Sequence, residues 1–282
     1  MTCTTAILAS NRTERAKDLL PEVRDIVTRH GHLIAELGPE DPLPEGTDRL
    51  VVIGGDGTLI GAIRRTLESG VPVPGVNAGR LGVLAEFDVE SLRSNAGDVF
   101  GDSPLVREHL VLHVAVHDVN GEQRLESVAV NECVITAGPP FRMIELQLGI
   151  DGSDGPNLNG DGVIISTPIG STAYNVSAGG PIVQPSVEAI AITPVAPHSL
   201  AFRPIVADAS TRMDVTVNQA NPGTTLVLDG QVNHRLRVGE RIHVHRAGQR
   251  ARLIGNPGSP YWNTLIHKMR WAASPTYRDS SP

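Results

Sequence analysis

Apolar residues recur along this chain with two different periods, and the change near residue 100 divides it. Over the first 90 residues short apolar runs alternate with helical spacings, the pattern of a parallel sheet covered by helices. Thr5 to Ala9 predicts a strand, and Ala16, Leu19, Leu20, Val23, Ile26 and Val27 predict a helix that Gly31 stops, with a kink or restart at Pro21. His32 to Leu37 is a second strand, Gly38 to Gly46 a loop with three prolines, and Leu50 to Ile53 a buried strand running into GGDGT at 54–58. Leu59, Ile60, Ile63 and Leu67 then mark the inner face of a helix ending near Gly70, and Val71 to Val76 the next strand.

Beyond residue 100 the period falls to 2. Strands are predicted at His109 to Asp118, Leu125 to Thr136, Arg142 to Asp151, Gly162 to Thr167, Arg212 to Gln219, Thr224 to Asp229 and Arg241 to Arg246. A small-residue segment from Thr167 to Gly180 breaks the pattern, Tyr261 to Trp271 reads as one amphipathic helix, and Ser274 to Pro282 reads as a frayed end. The expected organisation is an α/β domain over 1–100, an all-β domain over 101–258, and a C-terminal helix and tail over 259–282 that pack back on the protein. The length of 282 residues suits about two domains.

Charge narrows the function classes. Lys and Arg number 24 against 31 Asp and Glu, a net charge of −7, which argues against a protein that coats nucleic acid and requires any anionic ligand to be bound locally. No run of 18 apolar residues exists, and the first 20 residues carry Arg12, Glu14, Arg15, Lys17 and Asp18, so neither a membrane span nor a secretory signal is expected. Cys3 and Cys133 are too few for a disulfide framework or a thiolate metal site, and the expected location is a reducing cytoplasm.

Four constellations carry candidate chemistry. In GGDGT, Gly54, Gly55 and Gly57 let the backbone approach a ligand, and the N–H groups ahead of the next helix attract phosphate. No Gly-Lys-Ser/Thr follows, and the glycine spacing is one residue too long for a dinucleotide fingerprint. Asp56 is the odd member: a carboxylate in a phosphate cradle points to metal binding or proton transfer, the alternative being a cap on the following helix. NAGRLG at 77–82 should lie at the same carboxyl edge of the sheet, where ligands of open α/β folds collect, or be an ordinary loop. Asn131 and Glu132 interrupt an apolar strand, either facing a cleft or sitting at a strand edge. The segment from Gly160 to Ile182 places Ser166, Thr167, Ser171, Thr172, Tyr174 and Ser177 among glycines, suited to hydrogen-bonding a ribose or purine.

Other features read as structural. Asp151 to Gly155 is a hairpin turn and not a calcium loop. Ser171 has neither nucleophile elbow nor His partner. His198 stands alone, and the other histidines, including His243 and His245 read on alternating strand faces, assemble no zinc set.

In order, GGDGT at 54, N-x-G-x-x-G at 77, Asn131-Glu132, GDG at 160, STPxGSTAYxxSAGGP at 166–181, PHSLxxRPIV at 198–206 and Asp229-Gly resemble the bacterial NAD kinases over nearly the whole chain. Lipid and sphingoid-base kinases of the wider phosphofructokinase-like group share GGDGT, but give no reason for the segment at 166–181. A non-catalytic NAD-binding protein would gain nothing from Asp56. The resemblance implies an α/β domain and a β-rich domain with NAD in the cleft between them, and transfer of the γ-phosphate of ATP, or of polyphosphate, to the 2′-hydroxyl of the adenosine ribose. It implies Asp56 as the base for that hydroxyl and Gly54, Gly55, Gly57 and Thr58 as the phosphate turn. It implies Asn77 and Gly79 at the dinucleotide, and Asn131 and Glu132 at its diphosphate and ribose. It further implies Asp161 at the nicotinamide end, Thr172, Ala173, Tyr174 and Ser177 at adenine and ribose, and Asp229 near the same pocket. Mg²⁺ or another divalent metal bound through nucleotide phosphates, and a homodimer or homotetramer in which some contacts reach a neighbouring subunit, are implied too. Two positions depart from the family: Val83 replaces a base-packing aromatic residue, and Ile169 replaces a threonine.

Overall fold

The computed structural model describes residues 2–11, 13–38, 40–79, 82–259, 261–269 and 271. Arg80 and Leu81 of the second glycine cluster, and the tail expected to fray, lie outside the described residues. The chain forms two compact units, Met1–Ala62 with Val71–Arg107 and Leu253–Pro282, and Ile63–Gly70 with Glu108–Arg252.

In the first unit β1 (Thr4–Ala9), α1 (Glu14–His30), β2 (His32–Leu37), β3 (Arg49–Gly54), α2 (Asp56–Thr66) and β4 (Val73–Asn77) follow one another, and then two short helices, α3 (Val89–Ser94) and α4 (Ala96–Val99). The four strands pair in parallel in the order β2-β1-β3-β4. Ile7, Val51, Ile53 and Val76 pack from the sheet against Val23, Ile26 and Val27 of α1. Pro21 does not end α1, which runs unbroken through it. Buried Ala16 before the proline and Val23 after it both hold the helix to the sheet, outweighing the lost hydrogen bond. Gly31 ends it where the chain passes β1: a Cβ there would stand 2.6 Å from the Cys3 carbonyl oxygen.

The chain continues through β5 (Val106–His109), β6 (Leu112–His117), β7 (Gln123–Ala129), β8 (Glu132–Thr136), β9 (Ile144–Ile150), β10 (Ser153–Gly160) and β11 (Gly162–Ser166). After a 3₁₀ turn at Ile169–Thr172 and one helical turn, α5 (Tyr174–Ser177), come β12 (Ala189–Val195), β13 (Ile205–Asp208), β14 (Met213–Gln219) and β15 (Thr225–Leu228). The last strands are β16 (Val232–Arg235), β17 (Arg241–Arg246) and β18 (Ala251–Ile254), and α6 (Tyr261–Asn263) runs into a π turn at Thr264–Lys268. β18 pairs parallel to β4, and β5 lies beyond it, extending the first sheet to six strands.

The second unit is a sandwich of two six-stranded sheets, β10-β9-β14-β17-β6-β7 and β13-β12-β11-β8-β15-β16, joined by antiparallel pairings. Val114, Leu146, Val215 and Ile242 from one sheet meet Ile135, Ile165, Ile192 and Leu226 from the other in one apolar core. Cutting any of these to alanine should cost about 2–5 kcal/mol.

Three expectations need correction. Leu125 to Thr136 is two strands, interrupted at Val130 and Asn131, whose N–H groups turn onto the Asp229 carboxylate. His109 to Asp118 is likewise divided, between β5 and β6. His243 and His245 share one face of β17, since residues two apart in a strand point the same way. The His113 and His245 rings stack with centroids 4.7 Å apart, and His117 meets His243 edge-on at 5.1 Å.

Candidate active site

In the first unit the candidate site is the turn between β3 and α2. Ile53 ends a buried strand, and Gly54 must lack a side chain because a Cβ would stand 2.7 Å from the Thr58 side chain. Gly55 and Gly57 face open space, with nothing within 4 Å of where a Cβ would be. Such bare backbone ahead of a helix can accept a phosphate.

Asp56 opens α2, and its carboxylate reaches past its own helix to the segment after the second glycine cluster. Oδ2 accepts the Val83 N–H at 2.9 Å, and Oδ1 accepts those of Leu84 at 3.1 Å and Ala85 at 3.4 Å. The carboxylate is thereby fixed at the carboxyl edge of the parallel sheet. Asn77 ends β4 on the same edge, its Oδ1 accepting the Gly79 N–H at 2.8 Å, while Ala78 donates to the Gly54 carbonyl at 3.0 Å. The two glycine clusters are therefore joined by backbone. Val83 is half-buried.

In the second unit the Asn131–Glu132 pair occupies the junction of β7 and β8. Both residues are buried, and Asn131 Oδ1 and Glu132 Oε2 have no hydrogen-bond partner within the protein. Two adjacent buried acceptors left open call for a ligand that donates, such as a diol. Burial, reinforced by the nearby Asp229 charge, pushes the Glu132 carboxyl up to about 7, against a hydrogen bond from the Tyr174 backbone N–H that lowers it. Burial likewise raises the neighbouring Cys133 thiol, which makes it a poor nucleophile.

The serine and glycine segment is docked on this pair. Thr167 Oγ1 donates to the Val130 carbonyl at 2.7 Å, and the Thr167 N–H bonds the Asn131 carbonyl. Gly170 packs so closely that a Cβ would stand 2.1 Å from the Asn131 oxygen. The Ser171 hydroxyl is buried against the Pro168 carbonyl and accepts the Val183 N–H, which makes it structural. Asn175 is a buried post bonded to Ser171, Pro181 and Thr193. What remains accessible is the outer side of the two short helical turns, with Thr172 and Ala173 half-buried and Tyr174 and Ser177 exposed.

Asp229 and Asp161 stand elsewhere. Asp229 is at the tip of the β15–β16 hairpin, where it and Gly230 take positive φ values of 53° and 66°. Its side chain is fully buried, so it shapes the pair from behind. Asp161 is exposed ahead of β11, whose Gly162 pairs with Thr136 and whose Ser166 pairs with Glu132. It therefore lies roughly 16 Å along the strand from the Glu132 end, at about 3.3 Å per residue. His198 is exposed as well.

Sequence reasoning missed Arg64 and the Val83–Ala85 amides. Arg64 bonds Ser127, Val128 and Asp229, and its only sequence signal is a cation on a helix whose other face is apolar. Among the described residues no group of three His, Cys, Asp or Glu could hold a metal ion, and no helix is long and apolar enough to cross a membrane.

Known proteins resemble this chain in sequence and in fold. The ATP-NAD kinase N-terminal domain matches residues 12–103, and the ATP-NAD kinase C-terminal domain matches residues 130–255. The NAD kinase of Geobacter sulfurreducens is 39% identical over 256 residues, covering 91% of this chain and 89% of its own. That of Rhodopirellula baltica is 39% identical over 226 residues, covering 80% and 72%. The fold matches yeast NADH kinase solved with NADH, with a TM-score of 0.81, 23% identity and coverage of 100% of this chain and 91% of that one. It also matches an NAD kinase from Archaeoglobus fulgidus solved with ATP, with a TM-score of 0.77, 24% identity and coverage of 95% and 98%. By sequence over most of its length, and by fold, the chain belongs to the NAD kinase family.

Proposed function

We propose that this enzyme transfers the γ-phosphoryl group of MgATP to the 2′-hydroxyl of the adenosine ribose of NAD, giving NADP in the cytoplasm. The observation that carries the reading is Asp56, a carboxylate oriented by three backbone amides beside two glycines, Gly55 and Gly57, at which an added Cβ would meet nothing within 4 Å. A carboxylate has about four lone-pair sites, so three amides orient it and leave room for a hydroxyl proton.

Phosphoryl transfer asks for alignment, charge neutralisation and help for the nucleophile. Asp56 accepts the proton of the attacking hydroxyl. The turn at Gly54 and Gly55 ahead of α2 is the phosphate cradle, with Gly57 and Thr58 in its first turn, and Asn77 and Gly79 line the same edge. Asn131 and Glu132 offer two acceptors to ribose hydroxyls, and Thr172, Ala173, Tyr174 and Ser177 present the surface for adenine and its ribose. The divalent metal of this proposal arrives with the triphosphate as part of the substrate. There it offsets phosphate charge in a cradle that holds no lysine.

A homo-oligomer is part of the same proposal. β13 is an edge strand that exposes Ile205 and Val206, with Leu200 85% exposed just before it, an apolar edge suited to a second copy. Asp161, remote from its own chain's Glu132, is free to serve a neighbouring subunit. Incubating the purified chain with NAD, ATP and Mg²⁺ and assaying NADP tests the activity. NADP formed at enzymatic rates supports the reading, and none formed at any pH from 6 to 9 rejects it.

A further inference from the structure

The second half of α2 carries Arg64 to the β7–β8 junction. Nη2 donates to Ser127 Oγ at 2.8 Å, while Nη1 donates to the Val128 carbonyl and lies 3.2 Å from Asp229 Oδ2. Asp229 in turn accepts the N–H groups of Val130 at 2.9 Å, Asn131 at 2.7 Å and Glu132 at 3.1 Å. Three successive amides converging on one carboxylate form an anion nest that the protein fills from within. Its closure interrupts the strand and leaves Asn131 Oδ1 and Glu132 Oε2 buried and unpartnered. Arg64 is 16% exposed and Asp229 not at all, so water screens their interaction little.

We propose that Arg64 is a positioning residue of the nucleotide site, acting through Asp229 to hold the Asn131–Glu132 pair in place and to set the charge that Glu132 feels. The inference rests on the reading of that pair as an NAD contact. The groups facing Glu132 are the Asp229 carboxylate on the β15–β16 turn, the Cys133 thiol next to it in β8 and the Tyr174 N–H of α5, with Arg64 of α2 behind Asp229. Asp229 opposes ionisation of Glu132, and Arg64 offsets Asp229. Removing the cation must therefore make Glu132 hold its proton more tightly, and removing the Asp229 charge must do the reverse. A tie that served only to stiffen the fold would produce no such opposition.

The test uses the full chain with ¹³C-labelled glutamate carboxyls, the Glu132 signal being assigned by its loss in Glu132→Gln. Arg64→Met should move the Glu132 titration midpoint up by about half a pH unit or more, Asp229→Asn should move it down by a similar amount, and Arg64→Lys should leave it near that of the unmodified protein. In steady-state assays with NAD and MgATP, Arg64→Met should raise the KM for NAD roughly tenfold with kcat within about threefold, and should shift the acid limb of kcat/KM in the same direction as the NMR midpoint. Midpoints that stay put or move together in the folded variants overturn the inference. Should Arg64→Met fail to fold, Asp229→Asn decides: a lowered midpoint supports the inference, and an unmoved or raised one rejects it. A protein that neither binds NAD nor forms NADP defeats the nucleotide reading, and with it the role assigned to Arg64, while the NMR midpoints separately judge the charge coupling.

Discussion

Replacing Asp56 with asparagine keeps the side chain's shape and removes its charge, and the structure says what each loss is worth. As a general base Asp56 should supply about 10²–10⁴-fold in rate, equivalent to about 2.7–5.5 kcal/mol of transition-state stabilisation. Asparagine also disturbs the scaffold. Its carbonyl oxygen can still take the N–H groups of Leu84 and Ala85, but an amide NH₂ now faces the Val83 N–H, whose present bond is 2.9 Å long. One donor set against another forfeits a charge-assisted bond, about 1–2 kcal/mol at this half-buried position, or a melting temperature lower by about 2–8 °C. Measuring NADP formation at saturating MgATP, with a thermal melt on the same sample, separates the two effects. We expect kcat to fall roughly 10²–10⁴-fold with the KM for NAD within about threefold. A folded Asp56→Asn enzyme within tenfold of the original kcat would refute the general-base assignment, and a raised KM at preserved kcat would leave Asp56 as a brace for residues 83–85.

Glu132 has a folded value of about 7 against an ordinary 4.5, so the folded state holds an extra proton between those limits. Its contribution to stability is full below about 4.5 and is lost as the pH rises through about 7, so Glu132→Gln should flatten that decline by on the order of 2–3 kcal/mol. Urea midpoints for the two proteins that run parallel from pH 5 to 8 would contradict this. Val83→Phe introduces an aromatic ring at a half-buried position and should lower the KM for NAD roughly threefold to thirtyfold, about 0.7–2 kcal/mol of stacking. An unchanged KM with a lower melting temperature would show instead that the ring overpacks. Light scattering should give a multiple of the 29.9 kDa chain mass, and Ile205→Lys on the β13 edge should reduce it. A fully active monomer would dispose of the oligomer.

The parallel sheet was legible because β3 and β4 are short apolar runs punctuated by glycine, and burial on both faces leaves no other reading for them. The sandwich was legible as a class but not strand by strand. β10 is a polar edge strand containing Pro156, tolerated because an edge leaves backbone groups free of the ladder, so neither hydrophobicity nor period marks it. The break between β7 and β8 is invisible for another reason. Apolar residues flank Asn131 and Glu132 on both sides, and the cause of the break is a carboxylate 99 residues away in sequence, Asp229 accepting the Val130 N–H.

The same distinction runs through the site. The side chains proposed to meet a ligand announce themselves by type: a lone carboxylate among glycines at Asp56, an Asn–Glu pair in an apolar strand, hydroxyls between glycines after Gly160. Residues that act by orienting those groups do not. Val83, Leu84 and Ala85 hold Asp56 with backbone N–H groups that every non-proline residue possesses, and Arg64 sits beside Arg65 in a helix where a solvated cation is the ordinary expectation. Asp229 shows what residue type leaves out. The resemblance puts this acid near the pocket, and its side chain has no exposure there because its oxygens serve three amides and a guanidinium. With its side chain so enclosed, Asp229 acts in this proposal through its neighbours: it fixes the amides of Val130, Asn131 and Glu132 and raises the proton affinity of Glu132, whose Oε2 has no partner within the protein.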